Sequence, residues 1–247
     1  MPRYRLTLEY DGRAFLGWQR QASGPSIQQA VEEAIHAFCG ETRTVHAAGR
    51  TDAGVHALAQ VAHVDLERDF PPERVMGALN AHLRPHPVAV LEVRRVTTDF
   101  HARFSAGERR YLYRILNRRA PPALDRGRVW HLVRPLEVER MQEAAGLLLG
   151  RHDFTSFRDS QCQARSPLKT LRRLHLQRRG EIVEIHAAAR SFLHHQVRIM
   201  VGTLVQVGTG RRPISWVAEV LAARDRSRAG PTAPAEGLYF AGADYDP

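Results

Sequence analysis

The sequence of 247 residues has little cysteine, one lysine and no long apolar run. Its two cysteines, Cys39 and Cys162, are too few for a disulfide framework and lack the spacing of metal ligands, which fits a reducing compartment. The most apolar stretch, residues 191–210, carries two histidines and Arg198, so we expect no membrane span. The N-terminus is polar and strand-like, which predicts no signal peptide.

The bulk composition is that of a globular protein. Apolar residues make up 43% and charged residues 25%, which excludes a disordered or fibrous chain. At roughly 100–200 residues per domain, the length allows one large domain or two small ones.

The net charge is strongly positive. Lysine and arginine number 36 against 26 acids, giving a net charge of +10, and the only lysine is Lys169. A basic, arginine-rich chain favours a polyanionic partner, because guanidinium groups suit phosphates and base planes. Codon usage in a GC-rich genome is an alternative reason for the arginine preference, but it does not explain the net excess. Binding to acidic lipids is disfavoured, because the sequence shows no amphipathic basic helix.

Hydrophobic periodicity predicts an α+β protein. The first half has the order β-α-β-β-α-β, with these predicted segments: strand 4–10, helix 26–40, strands 44–48 and 58–66, a helix from Pro71, and strand 88–96. The second half has strand 110–116, helix 137–149, a hairpin of 168–177 and 181–188, helices 191–207 and 214–223, and strand 237–243. We therefore expect two topologically related halves, 1–105 and 106–247, with mainly antiparallel strands flanked by helices.

Residues 49–57, GRTDAGVHA, are the most unusual segment. Two glycines bracket Arg50, Thr51 and Asp52 between strands, which allows a tight backbone path and close approach of a ligand. A plain turn in which Asp52 caps backbone N–H groups has the same spacing. No lysine of a phosphate-binding loop follows.

Two further segments contain candidate site residues. Arg198 is the only formally charged residue between residues 191 and 210, so it needs an anionic partner if it is buried; a place at the solvent edge of the helix is the alternative. Tyr111 lies among arginines in residues 108–114, where it could present a stacking face for RNA or belong to an ordinary half-buried strand. No metal-binding or serine-nucleophile motif is present.

Together these segments resemble the TruA family of tRNA pseudouridine synthases. GRTDAGVHA (49–57), ERRYLYRI (108–115) and FLHHQVRIMVG (192–202) look like three motifs of that family. Shorter stretches also match, namely 10–21, DFHARFSA (99–106), 152–158 and 235–240. The resemblance covers almost the whole chain.

The resemblance implies the pseudouridine synthase fold, with a central antiparallel sheet formed by two pseudo-repeated halves. It implies isomerisation of uridine to pseudouridine at positions 38, 39 and 40 of the tRNA anticodon stem-loop. It also implies a cytoplasmic homodimer that needs neither cofactor nor metal.

The resemblance also assigns roles to individual residues. Asp52 would be the catalytic carboxylate, acting as nucleophile or base, and Arg198 would pair with it. Tyr111 would stack on the target base, Arg50 would reach into the RNA near the flipped nucleotide, and Leu238 would form part of the apolar pocket wall.

Two other functions compete with this hypothesis. A non-catalytic RNA-binding module fits the charge and the Tyr/Arg strand equally well, but it needs neither the acid in a glycine-framed loop nor the arginine in an apolar helix. A hydrolytic glycosidase or nuclease is disfavoured, because glycosidases use two facing carboxylates and only Asp52 stands out.

Overall fold

The computed structural model describes residues 1–245, which form an α+β fold. Their strands are β1 Arg3–Tyr10, β2 His46–Ala47, β3 His56–Asp65, β4 Val88–Val96, β5 Ala106–Asn117, β6 Trp130–Leu132, β7 Gly150–Asp153, β8 Leu168–Arg179, β9 Ile182–Ala189 and β10 Leu238–Tyr245. The helices are α1 Ile27–Cys39, α2 Pro72–His82, α3 Val138–Gly146, α4 Gln196–Gly208 and α5 Trp216–Ala223. The α+β class predicted from the sequence is confirmed.

The chain divides into two compact units. The first comprises Met1–Arg109 together with the last strand from Tyr239 onward, and the second comprises Arg110–Leu238. The last strand belongs to the first unit because Tyr239 and Phe240 pair in parallel with the start of β3.

The first unit is built on a sheet with the strand order β4-β1-β3-β10, and β2 pairs with β3. Both neighbours of β1 run antiparallel to it. Along β1, alternate side chains from Tyr4 to Tyr10 are at most 4% exposed, because one face of the strand lies in the core. Helix α2 packs against β4 and α1.

The sequence signals at the ends of α1 are confirmed. The Ser26 hydroxyl accepts a hydrogen bond from the Gln29 backbone N–H at 3.2 Å. Gly40 ends the helix in the left-handed conformation, with a φ of 76° that glycine adopts without steric cost.

The second unit contains strands in the order β5-β9-β8-β7, and β6 pairs with β5. Strands β8 and β9 form the predicted antiparallel hairpin, which turns at Gly180 with a φ of 60°. Helix α3 packs against α4 and β8.

Some predicted boundaries are wrong. The helix predicted from residue 191 begins only at Gln196, because residues 191–195 form an irregular approach that ends with His195 at a φ of 60°. Helix α3 ends at Gly146 rather than at residue 149, and the strand predicted over 44–48 shortens to β2. The short strands β6 and β7 carry too few residues for a periodic signal.

Among the helices of the described residues, none is long and apolar enough to cross a membrane.

Candidate active site

The loop that carries Asp52 is fixed by close backbone packing against the segment after β1. A Cβ on Gly12 would lie 2.0 Å from the Val55 carbonyl oxygen, and one on Gly17 would lie 2.5 Å from the Thr51 carbonyl oxygen. Gly17 also has a φ of 100°, which L side chains rarely adopt. Only glycine fits at these two positions, so the loop and the segment after β1 form one rigid piece.

Hydrogen bonds reinforce this contact. The Trp18 N–H donates to the Thr51 carbonyl oxygen at 3.0 Å, and the Val55 N–H donates to the Asp52 carbonyl oxygen at 3.1 Å. The hydroxyls of Tyr10 and Thr51 are 2.8 Å apart. Burial raises the pKa of Tyr10 to about 12, so this phenol stays neutral and can donate. The loop is therefore preorganised by the protein itself.

The two formally charged side chains of the loop, Arg50 and Asp52, are at least partly exposed. Asp52 is partly buried and Arg50 is exposed, whereas Thr51 between them is buried. The amide of Gln60 holds the start of the loop by donating to the Gly49 carbonyl oxygen at 2.9 Å. A partly buried carboxylate on a rigid turn is suited to meet a substrate in a fixed orientation.

In the second unit, Arg198 lies in the first turn of α4 and is clamped to the segment that precedes β10. Its Nε donates to the Ala233 carbonyl oxygen at 2.7 Å, and the Ala233 N–H donates back to the Arg198 carbonyl oxygen at 3.1 Å. This bond uses Nε and fixes the plane of the guanidinium group, whose two terminal nitrogens are also hydrogen-bond donors. Arg198 is partly buried, which is intermediate between the buried position and the solvent-edge position that the sequence left open.

The clamp depends on backbone contact between α4 and the segment of residues 230–233. A Cβ on Gly202 would lie 1.8 Å from the Pro231 carbonyl oxygen, and one on Gly230 would lie 2.7 Å from the Thr203 Cα. The Thr203 hydroxyl accepts a hydrogen bond from the Gly230 N–H at 3.0 Å. No side chain fits between the two backbones.

We expect Gly202→Ala to destabilise the protein by about 1–3 kcal/mol, because the new methyl group forces the two backbones apart. Its melting temperature should fall by several degrees in a thermal unfolding experiment. Gly77→Ala is the matched control: Gly77 is also inside a helix, nothing lies within 4 Å of its added Cβ, and we expect equal or higher stability. Equal melting temperatures for Gly202→Ala and the parent protein would contradict the close packing.

Tyr111 lies on β5 with its ring against that of Phe192. The ring centroids are 5.2 Å apart and the planes are nearly perpendicular, which is an edge-to-face geometry that aromatic pairs favour. Tyr113 projects from the same face of the strand but is fully buried, and its hydroxyl donates to the Pro234 carbonyl oxygen at 2.8 Å. Burial holds the pKa of Tyr113 well above its usual range, so it acts as a structural donor.

Leu238 is placed by the same segment. A Cβ on the preceding Gly237 would lie 2.6 Å from the Tyr113 ring, so residues 230–238 pack directly on both α4 and β5. Leu238 itself is 5% exposed. Of the residues expected at the site, Arg50 and Asp52 lie in the first unit, and Tyr111, Arg198 and Leu238 lie in the second.

Sequence reasoning missed a polar pair just before α4. The Asp159 carboxylate lies 2.7 Å from Nδ1 of His195, and the His194 N–H donates to the Cys162 sulfur at 3.4 Å. Burial alone would raise the pKa of Asp159, but the Gln161 backbone N–H and His195 outweigh it and lower the pKa. His195, which has a φ of 60°, is therefore hydrogen-bonded through its side chain to Asp159. The only available signal was the HH dipeptide, which gives no indication of its partner.

Comparison with known proteins shows which family contains both the Asp52 loop of the first unit and the Arg198 helix of the second. The sequence profile of the family described as tRNA pseudouridine synthase matches residues 7–105 and 144–246. The chain belongs to this family. Its matched ranges contain Asp52, Arg198 and Leu238, whereas Tyr111 falls between them.

Individual members of the tRNA pseudouridine synthase family match the chain end to end. A protein named tRNA pseudouridine synthase A from Rhodospirillum centenum is 65% identical over 245 residues, covering 99% of this chain and 100% of the relative. Proteins of the same name from a Caulobacter species and Nitrobacter winogradskyi are 60% and 58% identical, each covering all of this chain and 99% and 96% of the relative.

One solved structure, a Cbf5-Nop10-Gar1 complex, contains a chain that matches with a TM-score of 0.36 and 11% identity. The match covers 82% of this chain and 45% of that one. This similarity is too weak to establish a shared fold. The fold is assigned from the helices and strands of the chain itself and from the family match.

Proposed function

We propose that this protein isomerises uridine to pseudouridine in tRNA. The observation that carries the proposal is the 65% identity to a tRNA pseudouridine synthase A over 245 residues, which extends through both units. The net charge of +10 fits a polyanionic substrate.

The finer properties belong to the same proposal. Resemblance to the TruA family supports positions 38, 39 and 40 of the anticodon stem-loop as the targets, a homodimer as the working form, and the cytoplasm as the location. We also propose that the half of the chain up to residue 105 supplies the catalytic loop and that the half from residue 106 supplies the remaining site residues.

The proposed chemistry uses Asp52 as the catalytic carboxylate. The reaction breaks the bond between N1 of the base and C1′ of the ribose, turns the base, and joins C5 to the same C1′. The proton on C5 is lost and N1 gains one, so atoms balance without oxidation or a second substrate. One carboxylate can serve as nucleophile or base in this sequence.

The other site residues are proposed to bind and orient. Arg198 would keep Asp52 ionised, since a neighbouring guanidinium favours the charged carboxylate. Tyr111 would stack on the target base and return about 1–3 kcal/mol of the few kcal/mol that unstacking costs. Arg50 would contact the RNA near the flipped nucleotide, and Leu238 would line the base pocket.

The deciding experiment is to incubate the purified protein with an unmodified tRNA transcript and to map pseudouridines in the product. We expect conversion within the anticodon stem-loop and no release of free base. Binding without conversion would favour the non-catalytic RNA-binding module. Release of free uracil would indicate a glycosidase.

We expect Tyr111→Phe to bind tRNA nearly as well as the parent protein, because the ring and its contact with Phe192 are retained. Tyr111→Ala should weaken binding by roughly 5- to 100-fold, as expected for the loss of one stacked base. Filter binding at fixed salt measures both affinities.

Tyr113→Phe is the matched control on the same strand face. It removes a hydroxyl that bonds to the Pro234 carbonyl oxygen, so we expect a loss of about 1 kcal/mol in the free energy of unfolding. Its tRNA affinity should remain that of the parent. If Tyr111→Phe binds as poorly as Tyr111→Ala, stacking is not the main role of Tyr111.

A further inference from the structure

An exposed aromatic ring lies outside the proposed catalytic groups. Phe104 is 72% exposed, and among the phenylalanine, tyrosine and tryptophan residues of the described chain no other is classed as exposed. Single exposed apolar residues are common on protein surfaces, so exposure alone identifies no site. The surroundings of Phe104 provide the additional observations.

The turn that presents Phe104 is rigid. Nδ1 of His101 accepts hydrogen bonds from the backbone N–H groups of Arg103 and Phe104, at 3.1 and 3.4 Å. The turn closes on itself, because the His101 N–H donates to the Ser105 hydroxyl and the Ser105 N–H donates to the His101 carbonyl oxygen, both at 2.9 Å. The backbone that carries the exposed ring therefore has few alternative conformations.

The turn is also anchored to the sheet of the first unit through Ala102. The Ala102 N–H donates to Nδ1 of the buried His63 at 3.2 Å, and its carbonyl oxygen accepts from the Tyr245 hydroxyl at 2.7 Å. Burial, together with the nearby charges of His101, Arg3 and His46, lowers the pKa of His63 to about 4. His63 is therefore neutral near pH 7, and its Nδ1 can accept the hydrogen bond from the Ala102 N–H.

One arginine connects the turn to the Asp52 loop. The Arg109 guanidinium donates to the carbonyl oxygens of Ala48, at 3.1 Å, and of Arg103. Ala48 directly precedes the loop of residues 49–57. The exposed ring is thus fixed to the same rigid piece of the first unit as Asp52.

The groups around the ring are cationic or aromatic. The Arg103 guanidinium carbon lies 5.6 Å from the centroid of the Phe104 ring, and the His101 ring lies 4.4 Å from it. The exposed His46 ring follows at 5.6 Å from that of His101. An aromatic face flanked by a guanidinium group is the combination that binds unpaired nucleotides, by base stacking and phosphate contact.

We propose that residues 101–105 and His46, called here the Phe104 platform, bind an unstacked nucleotide of the RNA outside the catalytic pocket. The base stacks on the Phe104 ring, and Arg103 contacts an adjacent phosphate. A second copy of this chain is a poorer occupant of this platform, because the platform contains no acidic residue that could pair with the cationic groups of another copy. That the RNA is a tRNA rests on the proposed function. That a base stacks on Phe104 does not depend on the proposed function.

The test compares Phe104→Ala, Phe104→Trp and the parent protein in binding an unmodified anticodon stem-loop RNA. Phe104→Ala should weaken binding by roughly 5- to 100-fold, and Phe104→Trp should retain affinity, because any aromatic ring can stack. At saturating RNA, the single-turnover rate of Phe104→Ala should equal that of the parent. Leu124→Ala is the control, since Leu124 is 92% exposed and outside the platform.

Fluorescence separates this proposal from the proposed function. The Phe104→Trp variant should lose emission when RNA is added, measured against the parent with its three tryptophans. Quenching without pseudouridine formation would support the platform and reject the enzyme. Pseudouridine formation with unchanged affinity in Phe104→Ala would overturn the platform, and so would a change in sedimentation coefficient without a change in affinity.

Discussion

Asp52→Asn should lower pseudouridine formation by at least about 10³-fold while tRNA binding stays near the parent value. Asparagine has almost the same shape as aspartate but can neither attack a carbon atom nor accept a proton at neutral pH. The hydrogen bonds that fix the loop use backbone atoms of Thr51, Asp52 and Val55, which the substitution retains, so the fold should not change. Single-turnover conversion of unmodified tRNA, with filter binding in parallel, measures the two quantities.

Asp125→Asn provides the matched control, because Asp125 is also partly buried but lies outside the three motifs. We expect the parent rate for this variant. If the pure Asp52→Asn variant forms pseudouridine at a rate within tenfold of the parent, Asp52 is not the catalytic carboxylate. This holds whatever the substitution does to tRNA binding.

Arg198→Lys should lower the rate of conversion by about 10²-fold or more, although the charge is retained. The arginine donates from Nε to the Ala233 carbonyl oxygen and still has two terminal nitrogens, whereas lysine has one nitrogen for both tasks. Loss of one preorganised donor to a reacting group commonly costs 10²–10³-fold. The surface variant Arg211→Lys should have the parent rate.

The predicted pairing of Asp52 with Arg198 is tested by combining the two substitutions. If the two residues act as a unit, the double variant loses less activity than the product of the two single losses. A fully multiplicative loss would show that Arg198 serves a different group, such as an RNA phosphate.

Long periodic elements were predictable from the sequence because their signals are local. The capped helix α1, the strand β1 and the β8–β9 hairpin each repeat an apolar position over several turns or pleats. The start of α4 was predicted five residues too early, because the apolar residues around Leu193 continue the helical pattern, whereas His195 has a left-handed backbone conformation that interrupts it.

The candidate site was predictable only in part. Glycine spacing around Asp52 and a lone charge in an apolar helix are local signals, and they singled out the two segments on which the proposed site is built. Nothing local indicates that Gly12 and Gly17 pack on the Asp52 loop, or that His195 has Asp159 as its partner. Such contacts join residues far apart in the chain.

The sequence alone determined the fold class, the three motif segments and the family resemblance, since all of these depend on residue types and short spacings. Tertiary structure decided how the residues are held. The Tyr113 hydroxyl meets Pro234 across 121 positions, and that contact, with the close approach at Gly202, places Ala233 where it can orient Arg198. Contacts of this kind depend on backbone shape, which no short-range pattern encodes.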